Sequence, residues 1–168
     1  MKLPPAVSIL LCACALAVTA CPRAARAQDS PSSSWLTLGT GLGSGGAGVS
    51  GSMSLKLGSH VASLRVAGTG RQLGGDLWDV GVLYGQAACG ERYLLSVSGG
   101  VAMAGGHRKV DASTPREVIP AGFGVPVEAQ GFVRPFPWGG LGLYAYAELS
   151  SRATFAGASL AVQLGSVK

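Results

Sequence analysis

The chain has 168 residues, of which 48% are hydrophobic, 12% are charged and 27 are glycines. This length suits a single domain. The formal net charge is +5, but Lys2, Arg23 and Arg26 precede residue 28, and without them the balance is 10 − 8 = +2. Because neither a basic stripe nor an aromatic platform accompanies this small charge, the composition predicts no nucleic-acid partner.

Residues 1–27 have the order of a secretory signal peptide. Lys2 gives a positive start, the apolar run Ala6–Ala20 follows, and small residues end in Ala25-Arg26-Ala27. The run has about 15 residues, fewer than the roughly 20 that a helix needs to span a bilayer. We therefore expect a bacterial exported protein whose mature chain begins at Gln28.

A second cleavage site competes with the first. Val18-Thr19-Ala20-Cys21 resembles the lipobox of bacterial lipoproteins, in which the cysteine is acylated, so a lipoprotein anchored through Cys21 remains an alternative. Cys12 and Cys14 also lie in the leader, and Cys89 is the cysteine that remains after cleavage at Ala27. The mature chain is therefore predicted to have no intramolecular disulfide, and the role of Cys89 is open.

The rest of the chain has the pattern of β-strands. We interpret residues 28–33 as a polar linker, after which apolar residues alternate with small or polar ones. In Val49–Leu57 the odd positions are apolar or glycine and the even positions are polar, which places the two sets on opposite faces of a strand. Eight such segments follow one another, at 34–42, 47–57, 60–69, 77–87, 92–104, 123–134, 139–149 and 153–164.

The connections between these segments differ in length. Gly58-Ser59, Ala88–Glu91 and Pro135–Trp138 are short, whereas Gly105–Gly122 is the longest and carries charge. Short turns on one side and a long loop on the other are typical of membrane β-barrels. The predicted fold is therefore all-β, an antiparallel up-and-down barrel of about eight strands over residues 34–168.

The alternation assigns each strand an apolar outward face and a polar inward face. The outward set comprises Leu36, Leu38, Val80, Val82, Tyr93 through Val97, Leu141, Leu143, and Leu160 through Leu164. The inward set comprises Lys56, Arg65, Asp79, Glu128, Gln130, Arg134, Tyr144, Tyr146 and Glu148.

Inward side chains fill a barrel of eight strands, so these groups should form a lumen polar network that stabilises the fold. Its predicted members are Lys56, Arg65, Asp79, Glu128, Arg134, Tyr144 and Glu148. Since a buried charge requires a partner, we expect the three acids to form salt bridges with Arg65 and Arg134. Catalysis by paired carboxylates is the less favoured interpretation.

Aromatic residues lie near the predicted strand ends, where membrane barrels carry interfacial rings. One end has Trp35, Tyr84, Tyr93, Phe136 and Trp138, and the other has Trp78 and Phe123. Within the sixth segment, Pro126 removes a ladder donor, which predicts a bulge or a local bend there.

On the leader, the alternation, the number of segments and the glycine-rich hairpins, residues 34–168 resemble the small eight-stranded outer-membrane barrels of the OmpA-like and OmpX-like class. The resemblance implies a location in the bacterial outer membrane, contact with its lipid, and a structural or surface-interaction role. His107-Arg108-Lys109, in the long loop, is predicted to be a solvated tip. Contact of this tip with lipopolysaccharide or another anionic surface partner is an alternative.

Other motifs predict no catalytic or cofactor site. Gly41–Gly46 matches a dinucleotide-binding pattern, but a strand follows it instead of a helix. His60 and His107 lack metal-ligand neighbours in the sequence, so no metal is expected. His60 with Ser63 invites comparison with lipid A acyl-modifying barrels, yet residues three apart on a strand point to opposite faces.

Two other functions remain open. A soluble periplasmic, lipocalin-like barrel binding a small apolar ligand would reverse the two faces. The face opposite the leucines and valines consists largely of serine and glycine, which carry too little polar surface for the outside of a soluble barrel. This favours a barrel whose apolar face contacts lipid. A lipid-modifying enzyme is the third and least favoured alternative, because the sequence offers no nucleophile elbow or oxyanion motif.

Overall fold

The computed structural model describes residues 33–70, 76–108 and 117–166. These residues form eight antiparallel strands, each paired with the next, and β8 pairs with β1 to close a barrel. The strands are β1 (Ser33–Gly43), β2 (Gly46–Leu57), β3 (His60–Gly70), β4 (Leu77–Cys89), β5 (Tyr93–Arg108), β6 (Glu117–Phe136), β7 (Gly139–Leu149) and β8 (Phe155–Ser166). The described ranges contain no helix that is long and apolar enough to cross a membrane.

The predicted fold class and strand number are confirmed. The predicted leader, with its two cleavage sites, and nearly all of the linker lie outside the described residues. Ser33, which we assigned to the linker, is the first residue of β1 and pairs with Lys56. Residues 153 and 154, assigned to the last strand, belong instead to a turn in which the Thr154 hydroxyl donates to the Ser150 carbonyl at 2.5 Å.

The prediction of one long loop over Gly105–Gly122 was wrong at both of its ends. β5 continues to Arg108 and β6 begins at Glu117, and these two residues pair with each other. Glycine and charge suggested a loop, but Val118 and Ile119 have the β-branched side chains that strands favour. The hairpin of β5 and β6 is therefore longer than the others.

The barrel has two different ends. We call the end with Ser33 and Ser166 the terminal end, and the opposite end the loop end. The terminal end also carries three short turns, after β2, β4 and β6. The first of them needs Gly58, whose φ of +63° is in the left-handed region.

Pro126 does not produce the predicted bulge. Paired residues of β5 and β6 skip from Gly99–Val127 to Ala102–Gly124, and the register is the same on both sides of this gap. The ladder is thus interrupted where proline lacks its N–H, without a shift. The register shifts of β6 lie elsewhere, between Ala104 and Gly106 of its partner β5 and between Val133 and Phe136.

The two faces of the sheet have the predicted polarity. The side chains that point into the lumen include most of the buried polar and charged groups, together with a smaller apolar set that contains Leu94, Phe132 and Phe155. Four residues within the predicted outward stretches point inward instead, because the side-chain direction alternates strictly: Leu94, Ser96, Ala161 and Gln163. The outward face is apolar on every strand.

Aromatic side chains are exposed near both ends, as in an interfacial belt. Near the terminal end these are Tyr84, Tyr93, Phe136 and Trp138, and near the loop end they are Trp78 and Phe123. Trp35 corrects the prediction, because it points into the lumen and is only 2% exposed. Its neighbour Leu36 faces outward, so the alternation of β1 requires Trp35 to face inward.

Candidate functional site

Arg65 is the centre of a buried ion cluster near the middle of the lumen. Its Nε donates to Asp79 Oδ1 at 3.1 Å, and its Nη2 donates to the other oxygen of the same carboxylate. Nη2 also lies 3.5 Å from Glu148 Oε2, and all three side chains are fully buried. Both ion pairs found between described residues therefore use Arg65.

The same guanidinium reaches across the lumen to the backbone. Its Nη1 donates to the Val127 carbonyl at 3.0 Å and to the Ala147 carbonyl at 3.4 Å. Arg65 stands on β3, whereas those carbonyls belong to β6 and β7. The side chain thus ties opposite walls of the barrel together, and its fork of donors is what makes this possible.

Glu128 is surrounded by neutral donors, which corrects the expected salt bridge to an arginine. Its Oε1 accepts hydrogen bonds from Ser98 at 3.0 Å and from Gln130 at 3.2 Å. Its Oε2 accepts from the Tyr144 hydroxyl at 2.5 Å. Hydrogen bonds to an ionised acceptor are stronger than neutral ones, so these donors compensate for the missing cation.

Gln130 extends this network to the opposite wall. Its Oε1 accepts from Trp35 Nε1 at 3.3 Å and from the Thr37 hydroxyl at 3.2 Å. Its Nε2 donates to the Ser52 hydroxyl at 3.3 Å as well as to Glu128. Gln130 was predicted to face inward, but its contacts with Thr37 and Ser52 were not predicted. The polar even positions of β2 place Ser52 on the same inward face.

Lys56 and Arg134 lie apart from the acids, at the terminal end. Both residues are buried. The Arg134 Nη2 donates to the Pro137 carbonyl at 2.6 Å, which fixes the guanidinium beside the turn between β6 and β7. The predicted lumen network is therefore divided into three parts: the Arg65 cluster, the Glu128 cluster, and these two cations at the terminal end.

The histidines do not assemble a site with their neighbours. His60 is exposed and stacks on Tyr84 with ring centroids 5.6 Å apart. Its Nδ1 also shares a 2.8 Å hydrogen bond with the Tyr84 hydroxyl. Ser63 is buried and shares a 2.9 Å hydrogen bond with Ser54. His60 and Ser63 thus face opposite sides of the sheet, as their spacing predicts. Within the described ranges, no group of three or more His, Cys, Asp or Glu residues could hold a metal ion.

The glycine-rich pattern at Gly41–Gly46 lies in the hairpin of β1 and β2, where Gly43 pairs with Gly46. A strand therefore follows it, as predicted. At the loop end, His107 is exposed at the end of β5, and Arg108 is the last residue of that strand. Lys109, the third residue predicted to contact a partner, lies outside the described residues.

The outward face of the barrel forms an apolar belt. Its exposed members include Leu38, Met53, Val82, Val101 and Leu143, which come from five different strands. The Asp, Glu, Lys and Arg residues that are exposed within the described ranges lie in turns or at the tip of the β5–β6 hairpin: Glu91, Arg92, Glu117 and Arg152. The belt between the two ends is uncharged in the described part of the barrel.

No family model and no curated protein matches the chain. Solved structures do match it. The N-terminal β-barrel domain of Pseudomonas aeruginosa OprF is 13% identical, with a TM-score of 0.61 over 82% of this chain and 99% of that one. The fold is that of the small outer-membrane β-barrels.

Two further structures share this architecture. A de novo designed transmembrane β-barrel is 11% identical, with a TM-score of 0.54 over 83% of this chain and 99% of that one. Yersinia pestis Ail, the attachment invasion locus protein, solved in complex with the heparin analogue sucrose octasulfate, is 9% identical. Its TM-score is 0.52 over 82% of this chain and 99% of the other. At these identities the likeness concerns the fold alone.

Proposed function

We propose that this chain is an integral β-barrel of the bacterial outer membrane with a structural or surface-interaction role. The observation that carries the proposal is the inverted polarity of the barrel, with ions and hydroxyls inside and an uncharged apolar belt outside. Lipid hydrocarbon accepts such a belt, and a closed sheet leaves no unpaired edge for it to contact. Aromatic side chains at both ends of the belt add to this support.

The soluble, lipocalin-like alternative requires the opposite arrangement. A barrel that stores an apolar ligand lines its cavity with apolar side chains and presents polar ones to water. Here Arg65, Asp79 and Glu148 occupy the lumen, while Leu143 and Leu160 are 63% and 67% exposed. An exposed apolar surface of this extent favours contact with a membrane.

We propose no catalytic role. A hydrolytic site needs a nucleophile and a base within hydrogen-bond reach of each other. His60 has its contact with Tyr84 on the outer surface, and Ser63 has its contact with Ser54 in the lumen. The acids of the lumen are held by Arg65, Tyr144 and Gln130, which suits a structural network.

The surface-interaction part of the proposal concerns the loop end. His107 is exposed near the end of β5, and two cationic residues, Arg108 and Lys109, follow it in the sequence. Such a group suits the phosphates of lipopolysaccharide or the sulfates of an acidic polysaccharide. The Ail structure contains a heparin analogue, which makes immobilised heparin a suitable probe for this chain as well.

Fractionation of cells that express the full precursor tests the proposal. We expect recovery in the outer membrane, cleavage of the leader, and a band that migrates differently in detergent gels before and after heating. Recovery in the soluble periplasm without detergent would overturn the membrane assignment. Mass spectrometry of the mature N-terminus distinguishes cleavage before Gln28 from acylation at Cys21.

The role of the loop end has its own test. Replacing His107, Arg108 and Lys109 with glutamine should weaken retention on immobilised heparin or lipopolysaccharide relative to the wild type. Equal retention of the variant and the wild type would exclude these residues as the contact.

A further inference from the structure

The terminal end contains a cleft that the outer-membrane role does not use. It has a volume of about 1040 Å³ and lies between the β4–β5 turn and the β6–β7 turn. Its lining includes Lys56, Cys89, Glu91, Arg92, Arg134 and Phe136. The two turns are held together by a 2.8 Å hydrogen bond from the Arg134 amide to the Arg92 carbonyl.

Lys56 is the unusual group in this cleft. The residue is 6% exposed, and its ammonium makes no hydrogen bond or ion pair with any of the residues that the structure describes. The Lys56 ammonium is not among the fully buried polar atoms that lack a partner, so its hydration comes through the cleft, and no described carboxylate neutralises its charge. Lys56 lines the cleft, so an anion there would supply the missing partner.

The surroundings of Lys56 favour an anion over a cation. Arg134 is 4% exposed and is fixed by its hydrogen bond to Pro137, which makes it a second preorganised positive charge. Arg92 adds a third at the rim, and Glu91 is the carboxylate that opposes them there. Among the lining residues that the structure describes, the cationic side chains therefore outnumber the single acid, and such an excess of one sign in a cleft attracts ions of the opposite sign.

We propose that this cleft binds a small oxyanion, a phosphate or carboxylate group, with Lys56 as its principal contact and Arg134 as the second. Charge-assisted hydrogen bonds from both cations to the anion would be stronger than the bonds that neutral donors make. The group could belong to a free anion that enters from the periplasm or to the head of an anionic phospholipid. The inference rests on the terminal end alone and stands apart from the proposed interaction at the loop end.

Cys89 provides a reporter because it is a free, partly exposed cysteine that lines the same cleft. The protein is purified from membranes into a neutral detergent and treated with iodoacetamide in phosphate or in chloride of equal ionic strength. We expect phosphate to slow alkylation severalfold and saturably, with the Cys89→Ser variant supplying the background rate. Calorimetric titration with inorganic phosphate should give the same midpoint.

Three variants separate binding from general structure. Lys56→Gln should abolish both the protection and the calorimetric signal, and Lys56→Arg should retain them. Arg152→Gln, which removes an exposed cation at the opposite end, should behave as the wild type. A heat-modifiable band verifies that each variant is folded. If Lys56→Gln does not fold, the alkylation rates of wild-type Cys89 in phosphate and in chloride decide whether the cleft binds the anion.

The source of the group is determined in lipid nanodiscs without added phosphate. Protection of Cys89 in phosphatidylglycerol discs but not in phosphatidylcholine discs would assign the site to a lipid head. Protection that requires added phosphate in both discs would assign it to a free anion. The inference is wrong if the folded wild type shows no saturable protection in detergent or in either disc, or if folded Lys56→Gln is protected equally.

Discussion

Arg65 on β3 and Asp79 on β4 form a two-pronged ion pair in the lumen, with neither side chain accessible to water. Removing Arg65 would leave Asp79 and Glu148 as buried carboxylates without a cation. We expect Arg65→Met to lower the free energy of unfolding by about 3–5 kcal/mol, the usual cost of breaking a buried pair from one side. Urea unfolding of the barrel in lipid vesicles measures this change.

A double-mutant cycle isolates the pair itself. Because the loss in Arg65→Met comes mostly from the uncompensated acids, adding Asp79→Leu should recover part of it. Arg152→Met, at an exposed turn, is the control and should leave unfolding unchanged within about 0.5 kcal/mol. Additive effects of the two lumen substitutions would mean that Arg65 and Asp79 do not depend on each other.

Tyr144 and Tyr146 offer a comparison between two hydroxyls on the same strand. The Tyr144 hydroxyl donates to a Glu128 carboxylate oxygen at 2.5 Å, whereas the Tyr146 hydroxyl donates to the Gly68 carbonyl at 3.3 Å. Hydrogen bonds to charged groups contribute roughly 1.5–3 kcal/mol, against about 0.5–1.5 kcal/mol for neutral ones. We therefore expect Tyr144→Phe to destabilise the barrel more than Tyr146→Phe does. The reverse order in urea unfolding would contradict the assignment of Glu128 as the anion of this network.

Much of this fold could be predicted because β-strands have a period of two. Val49–Leu57 already separates its faces in the sequence, and the structure has the same separation along β2. The inward position of Arg65 and Asp79 follows from the same rule. The alternation assigns each residue of a strand to one of the two faces of the sheet. In a closed barrel this determines which side chains fill the lumen and which face outward.

The pairing inside the lumen could not be predicted in the same way. Which inward groups meet depends on the stagger between strands, so Glu128 was expected beside an arginine but lies against Tyr144 and Gln130. Trp35 shows a related difficulty, since its position near a strand end suggested an interfacial ring while its parity placed it inside. The register between strands decides which lumen groups meet, and the pattern of one strand does not contain it. The face of Trp35, by contrast, follows from the alternation of β1 alone.

The apolar belt predicts how a charge on the outer face will act. Leu143 is 63% exposed near the middle of β7, and Leu57 is 58% exposed where β2 ends. An arginine facing the middle of a bilayer costs about 2–4 kcal/mol, and one near the interface costs about 0–1 kcal/mol. Unfolding in lipid vesicles should therefore show a larger loss for Leu143→Arg than for Leu57→Arg. Equal, negligible losses would indicate that water, not lipid, surrounds the belt.

Close approach between β6 and β7 predicts a difference between two glycines that almost face each other. A Cβ added to Gly142 would lie 1.9 Å from the Gly131 carbonyl oxygen, which is backbone and cannot move aside. A Cβ added to Gly131 would meet Leu95 Cδ2 at 3.4 Å, an ordinary contact. Gly142→Ala should therefore destabilise the barrel by about 1–3 kcal/mol, as overpacking does.

Gly131→Ala is the matched control, and it should be neutral or slightly stabilising because alanine lowers the entropy of the unfolded chain. The two variants make the same chemical change in adjacent strands, so a loss of glycine as such would affect both equally. A larger loss of unfolding free energy for Gly142→Ala would therefore show that β6 and β7 leave no room for a methyl group at this position. Equal unfolding curves would mean that the strands separate enough to admit a methyl group, and that the tight pairing of Gly142 is not required for closure.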